Sequence, residues 1–332
     1  MKVRIGINGF GRIGKLVFKM LQSNPHIEVV HINDKMDIAL MQYLLKYDST
    51  HGRFNATINI ENNFLNVNGH KIKVTNHSNP IDIQWQEMGV DYVIECSGKF
   101  KNKISLNNHF KEGVKHVILS APPEDKSIKT VVMGVNNQTI LPTDAIISNA
   151  SCTTNCAAVL LHVLCHEFNL EKAFMNTVHP CTNNQNLQDG FHTDYRRARS
   201  ALNNIIPTTT SAVDTIKYII PELINRFDGF ATRVPVVDCS FVEITALLKK
   251  KVSKEDINNT FLNYAQNQLN GYLEYTTDPI VSSDITNNIN SAVFDSLSTK
   301  ILGSDFIQII GWYDNESGYS ARIIDLIKFL AK

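Results

Sequence analysis

Residues 3–14, Val-Arg-Ile-Gly-Ile-Asn-Gly-Phe-Gly-Arg-Ile-Gly, constrain the fold more than any other stretch. A short apolar strand runs into Gly9, Gly11 and Gly14, and the spacing predicts a helix starting at Lys15. This is the Gly-x-Gly-x-x-Gly pattern in its strand–turn–helix setting. Its glycines permit a tight turn and let backbone approach a pyrophosphate at the helix N-terminus. A second strand, residues 28–33, ends at Asp34, about 20 residues beyond Gly14, where an acid holds the adenosine ribose hydroxyls. The glycine pattern alone is weak; with strands, helix and acid together, a dinucleotide site is favoured over a plain glycine turn.

The same alternation continues. Residues 64–74 read as a strand pair turning at Asn68-Gly69, and strands are expected at 89–96, 116–120 and 145–148. Ser97-Gly98 and Ser120 fall at strand ends, where a doubly wound sheet keeps its ligand crevice. A parallel α/β sheet is therefore expected over residues 1 to about 150. Beyond it, 231–252 and 305–313 are longer strand-like runs without βα alternation, as in a mostly antiparallel sheet. Residues 319–330 read as an amphipathic helix.

The second constraint is Ser148-Asn-Ala-Ser-Cys-Thr-Thr-Asn-Cys156, followed by an apolar run to Phe168 suited to a buried helix. Ser151, Thr153 and Thr154 suit a helix start. Cys152 is thereby placed where partial positive charge favours thiolate. His179, closing the strand-like 174–178, is the candidate base. Residue type alone makes a strand-end histidine more often structural, and sequence does not pair the two across the intervening chain. Arg196, Arg197, Arg199 and Arg233, with the hydroxyl-rich 207–212, suit phosphate oxygens; the triplet by itself also reads as a solvated basic face. His162 and His166 have metal-ligand spacing, but their apolar surroundings favour core or surface histidines, and no metal site is expected. Cys156, one turn on from Cys152, reads as buried support.

Lys plus Arg and Asp plus Glu both number 32, so no overall charge favours nucleic acid or a membrane as a main partner. The N-terminus has no signal-peptide pattern, and no apolar run reaches the roughly 20 residues that span a bilayer. Six cysteines at irregular spacing do not form a disulfide pattern. A cytoplasmic protein with reduced thiols is expected.

The motifs at 8–14, 46–52, 148–156, 196–199, 233–235 and 312–316 together make the chain closely similar to the phosphorylating glyceraldehyde-3-phosphate dehydrogenases, over its whole length. The resemblance implies a Rossmann-type domain of residues 1–151 and 317–332, to which the C-terminal helix returns, and an α+β catalytic domain of 152–316. It implies Cys152 as nucleophile and His179 as its base. NAD would be held by Asn8, Gly9, Phe10, Gly11, Arg12, Ile13, Asp34, Lys35, Ser97, Gly98 and Ser120, with Asn315 fixing the nicotinamide carboxamide and Tyr319 nearby. Thr182 and Arg233 would hold the substrate phosphate. Ser151, Thr153, Thr210 and Arg197, with Ser211, would surround inorganic phosphate. A homotetramer acting on glyceraldehyde 3-phosphate and inorganic phosphate is implied.

Several positions depart from the family pattern. Lys35 replaces an apolar residue and Gly190-Phe191 a Leu-Pro pair; Asp34 repels a 2′-phosphate while Lys35 attracts one, so some NADP use beside NAD is expected. Ser211 replaces a glycine and Ser317 a tryptophan, and Pro180-Cys181 puts a second thiol near the site. The nearest alternative is an erythrose-4-phosphate dehydrogenase, which hydrolyses its thioester; Thr182-Asn183 and Pro207-Thr-Thr-Thr210 fit it less well. A non-enzymatic binding role gains nothing from the neutral charge, and a thiol hydrolase leaves the glycine pattern unexplained.

Overall fold

The structure, a computed structural model, describes residues 2–332. The chain forms two compact units. The first comprises the residues up to Val131, Gln138–Ala150 and Ser320–Lys332; the second comprises Val132–Asn137 and Ser151–Tyr319.

The first unit contains β1 (Val3–Asn8), α1 (Arg12–Leu21), β2 (Ile27–Asn33), α2 (Ile38–Lys46), β3 (Ile58–Glu61), β4 (Phe64–Val67) and β5 (His70–Thr75). Then follow β6 (Tyr92–Glu95), α3 (Lys103–Asn107), β7 (His116–Leu119), β8 (Lys129–Thr130) and β9 (Ile146–Ser148). They form one nine-stranded sheet in the order β3-β4-β5-β2-β1-β6-β7-β9-β8. The strands from β5 to β8 pair in parallel, while β3 and β4 form an antiparallel edge. The order reverses at β1, with β2 on one side and β6 on the other, which is the switch point where doubly wound sheets bind ligands. The central strands read as continuous apolar runs because both faces are covered: Ile5, Ile7, Ile32, Val93 and Ile94 are fully buried. Helix α1 starts at Arg12 rather than Lys15, so Gly14 lies inside its first turn. The expected hairpin at Asn68-Gly69 is present, and β3 adds a strand to its outer edge.

The second unit opens with α4 (Cys152–Phe168), then β10 (Leu170–Pro180), β11 (Ile206–Thr208), α5 (Ala212–Ile219), β12 (Phe227–Val234), β13 (Ser240–Leu248) and α6 (Lys254–Gln266). After these come β14 (Leu273–Thr276), β15 (Ala292–Asp295), β16 (Lys300–Leu302), β17 (Phe306–Tyr313) and α7 (Ser317–Leu330), most of which belongs to the first unit. The sheet order is β11-β12-β10-β13-β17-β15-β14, mostly antiparallel, with parallel pairs β10–β12 and β14–β15. Burial alternates along β13 and β17, the period-two pattern of a sheet with one covered face. The long strand-like run at 231–252 is two strands, separated by a connection that begins at Pro235, which has no amide to donate to a ladder.

A buried polar chain ties the first sheet together. His31 Nε2 lies 3.0 Å from Thr75 Oγ1, and Thr75 in turn donates to Asn33 Oδ1 at 2.9 Å. The His31 ring meets Trp85 edge to face. Burial, and then the Lys73 charge, lower the His31 pKa from its ordinary 6.5 to about 4. The unfolded chain therefore binds a proton between these values and the folded chain does not. The stability linked to this group is complete above pH 6.5 and is lost as pH falls towards about 4. In thermal melts from pH 7 to pH 4, His31→Asn is expected to lose less of its melting temperature than the parent chain; parallel curves would sink this account.

Candidate active site

The glycine turn closes through backbone geometry. Gly9 has φ +94°, and a Cβ there would lie 2.5 Å from Ser97 N; a Cβ on Gly14 would lie 2.2 Å from the Gly9 carbonyl oxygen. Around Gly11, by contrast, nothing lies within 4 Å of an added Cβ, so the turn presents an open backbone surface. No side chain caps α1, whose N-cap is Gly11, leaving that position to a phosphate oxygen. Asp34 accepts from Phe10 N at 2.6 Å and Met36 N at 2.9 Å, so the acid also fixes the turn. Phe10 itself packs edge-to-face on Phe18 in the core, and it meets the site through its backbone alone.

Beneath the turn, the buried Glu95 accepts from Asn8 Nδ2 at 2.6 Å and from Ser97 N at 2.7 Å. Asn8 Oδ1 accepts from Asn33, and His109 Nε2 completes the Glu95 carboxylate at 2.9 Å. A cavity of about 210 Å³ opens here, lined by Asn8, Gly9, Gly11, Asp34, Lys35 and Ser97 among others. Gly98 follows with φ +72°, and Ser120 N donates to the Glu95 carbonyl at the end of β7. Arg12 pairs with the buried Asp48 at 2.7 Å, and Ile13 is half-buried in the first turn. A backbone cradle that a Cβ would fill, an uncapped helix start and an acid beside them fit a dinucleotide.

In the second unit, Cys152 is the first residue of α4. Ser151 is the N-cap: its Oγ accepts from Thr154 N at 3.1 Å and contacts Thr154 Oγ1 at 2.7 Å. Ala150, just before it, holds φ +57° while fully buried. β10 carries His179 to the same place, so that Cys152 Sγ lies 3.5 Å from His179 Nε2. β12, parallel to β10, sets Arg233 in register with His179. Arg233 Nη1 lies 2.5 Å from His179 Nδ1 and donates to the Pro180 carbonyl at 3.0 Å. Thr153 Oγ1 bonds to Tyr313 Oη at 2.9 Å, and that hydroxyl is also 2.9 Å from Thr177 Oγ1.

Burial raises the Cys152 pKa above its ordinary 9.0, against the Arg233 charge and hydrogen bonds from Thr153. Burial, with the Arg233 charge second, lowers His179 to about 3, against its bond to the Pro180 carbonyl. Burial thus opposes the charged form of both groups, while the helix N-terminus and Arg233 favour the thiolate.

A second hub was not legible in the sequence. Asp194 accepts from Arg197 Nε at 2.9 Å and from Thr208 Oγ1 at 3.1 Å. The Arg197 bond first, and backbone amides after it, lower the Asp194 pKa to about 2 despite desolvation. Thr210 Oγ1 accepts from Ala212 N, and Ser211 stands as the N-cap of α5 without a side-chain cap bond. Thr182 is exposed, its Oγ1 accepting from Asn184 N at 3.4 Å. Asn315 Oδ1 accepts from Ser240 Oγ at 3.1 Å, and Tyr319 is buried. The His162 and His166 rings lie 4.1 Å apart between centroids, tilted by 42°, with His166 Nδ1 on the His162 carbonyl. Cys156 is fully buried, its Sγ donating to the Gly311 carbonyl, and all six cysteines are free thiols.

A dinucleotide cradle in one unit and a cysteine–histidine pair beside a part-buried arginine in the other are the features of a dehydrogenase. Residues 3–103 match the family described as glyceraldehyde 3-phosphate dehydrogenase, NAD binding domain, and residues 151–315 match its C-terminal domain. Curated relatives named glyceraldehyde-3-phosphate dehydrogenase are similar over the whole chain. That of Priestia megaterium is 44% identical over 332 residues, covering 100% of this chain and 99% of its own. Those of Bacillus subtilis and Geobacillus stearothermophilus are 43% identical with the same coverage. The chain belongs to the glyceraldehyde-3-phosphate dehydrogenase family. It is an NAD-dependent oxidoreductase that converts glyceraldehyde 3-phosphate and inorganic phosphate to 1,3-bisphosphoglycerate.

Tyr313 is the tie between α4 and the sheet. Tyr313→Phe leaves the Thr153 and Thr177 hydroxyls without this partner and is expected to cost about 1–3 kcal/mol in urea unfolding. An unchanged midpoint at an unchanged slope would show that the two bonds add nothing net.

Proposed function

We propose that Cys152 is the nucleophile and His179 the general base of this reaction. The observation that carries the reading is the 3.5 Å approach of Cys152 Sγ to His179 Nε2 at the start of a buried helix. His179 takes the thiol proton as sulfur adds to the aldehyde carbon, and returns a proton to the new hydroxyl of the hemithioacetal. It next removes that hydroxyl proton as the carbonyl re-forms, leaving a thioester on Cys152. NAD, when bound, supplies the hydride acceptor. Phosphate attacks the thioester, and the released sulfur takes back a proton as the acyl phosphate departs.

Arg233 and Thr182 hold the substrate phosphate in this reading. Arg197, oriented by Asp194, and the hydroxyls of Ser151, Thr153, Thr210 and Ser211 surround the attacking phosphate. Asn315 orients the nicotinamide carboxamide, with Tyr319 beside it. Asn8, Gly9, Gly11, Arg12, Ile13, Asp34, Lys35, Ser97, Gly98 and Ser120 hold the dinucleotide, with Phe10 contributing backbone. Asp34 selects NAD, and the exposed Lys35 gives a weaker NADP activity. Residues up to 151 with 317–332 form the cofactor domain and 152–316 the catalytic domain. We further assign the chain to a cytoplasmic homotetramer; among the described residues no helix is long and apolar enough to cross a membrane.

NADH absorbance with glyceraldehyde 3-phosphate and NAD tests the reading. Without phosphate, one NADH per active site is expected as a burst; with phosphate, sustained turnover. Cys152→Ser should lose about a thousandfold or more in both phases, and His179→Asn about a hundredfold or more in the burst rate. Phosphate-independent turnover preferring erythrose 4-phosphate would overturn the assignment. So would full activity in Cys152→Ser.

A further inference from the structure

Beneath the glycine turn, two lines of hydrogen bonds run through the first unit and meet on Glu95. Each line begins at a group that only donates. At one end the His77 amide donates to Asn33 Oδ1 at 2.9 Å, and Asn33 Nδ2 donates in turn to Asn8 Oδ1 at 2.8 Å. Asn8 Nδ2 then donates to Glu95 Oε2 at 2.6 Å. At the other end the Trp85 indole donates to His109 Nδ1 at 3.3 Å, and His109 Nε2 donates to the same Glu95 oxygen at 2.9 Å. Ser97 N takes the other carboxylate oxygen at 2.7 Å. Turning over either amide or the imidazole would set donor against donor, so each member of the network holds its neighbour.

Only part of this network meets ligand space. Asn8, Asn33, His77 and Ser97 line the cavity at the glycine turn, whereas Trp85, Glu95 and His109 lie behind it and are fully buried. Trp85 belongs to an apolar cluster with Ile83, Val93, Leu106 and Val117, and the His109 ring centroid is 6.0 Å from that of Trp85. An aliphatic side chain would suit such a place, while a histidine must find a partner for both ring nitrogens. What the histidine adds is a donor aimed at Glu95. A buried polar network that is fully satisfied is rigid, and groups fixed before a ligand arrives cost less ordering when it binds.

We propose that His109 is a positioning residue for NAD: through Glu95 it fixes the Asn8 amide and the Ser97 backbone that face the dinucleotide. This inference rests on the proposed assignment of Asn8 and Ser97 to the cofactor and deepens it. The dissociation constant of NAD, read by calorimetry on the purified enzyme, tests it. His109→Leu removes the donor and is expected to weaken NAD binding about tenfold or more. Turnover at saturating NAD should stay within about twofold of the parent enzyme, which puts the loss in KM and not in kcat. His109→Gln can offer Glu95 an N–H and Trp85 an acceptor, and should bind NAD within about threefold of the parent. A lowered melting temperature in His109→Leu with NAD affinity unchanged would mark a residue that serves the core alone, and it overturns the proposal. Equal losses in the Leu and Gln variants overturn it too, because the effect would not follow the hydrogen bond. If His109→Leu does not fold, Glu95→Gln takes its place: its amide sets an N–H against Asn8 Nδ2 or Ser97 N, so NAD should again weaken about tenfold, and unchanged affinity is contrary evidence of equal weight. Asn8→Ala should itself weaken NAD, and adding His109→Leu to it should cost well under the product of the two single losses. A full product overturns the route through Asn8. Unchanged NAD affinity in Asn8→Ala would instead remove the assignment of Asn8 to the cofactor, and this inference with it.

Discussion

A helix buried on nearly every side cannot leave its first amides to water, and the second unit is arranged around that constraint. Thirteen of the 17 residues of α4 are buried, and it packs against β10, β13, β15 and β17 with α5 and α6 beside it. Its N-terminal amides must find partners inside the protein. Ser151 satisfies Thr154 N, Thr153 is tied by its hydroxyl to Tyr313, and the strained Ala150 gives the chain its entry angle. That leaves the thiol of Cys152 at the N-terminus of a buried helix.

Such a position cuts both ways. The helix dipole and Arg233 favour a thiolate, yet the burial that makes them effective penalises the charge they favour. Desolvation is the largest influence on both groups, raising the Cys152 pKa and lowering that of His179. Arg233 is charged and in contact with His179, and its buried Nε has no hydrogen-bond partner among the described residues.

What the sequence discloses is what depends on neighbours in the chain. The glycine turn, the acid at the end of β2 and the cysteine at a helix start are each local geometry, and each lies where its spacing places it. The end of β1 is less local than it looks: Asn8 and Ser97 owe their positions to Glu95, a residue that reads only as part of an apolar strand. Helix α1 starts three residues before the position its sequence suggests, because the poor helix propensity of Gly14 is overridden by packing against the sheet. The loop after Gly190 shows the same limit from the other side. Phe191 replaces a residue of the family pattern and stands 94% exposed, and nothing in this structure explains it.

Long-range pairing is where residue type alone fails. A histidine at a strand end is usually structural; what sets His179 apart is that two parallel strands from distant parts of the chain bring Arg233 alongside it. Parallel pairing fixes that register over eight residue pairs, so the backbone positions of Arg233 and His179 are set by the sheet. The backbone sets where the charge originates, and the side chain's rotamers set where it acts. Asp194 works similarly on Arg197, but with a carboxylate at the arginine Nε, which orients the fork without neutralising its outer nitrogens. One arginine is therefore aimed by an anion, and the other lies against an imidazole.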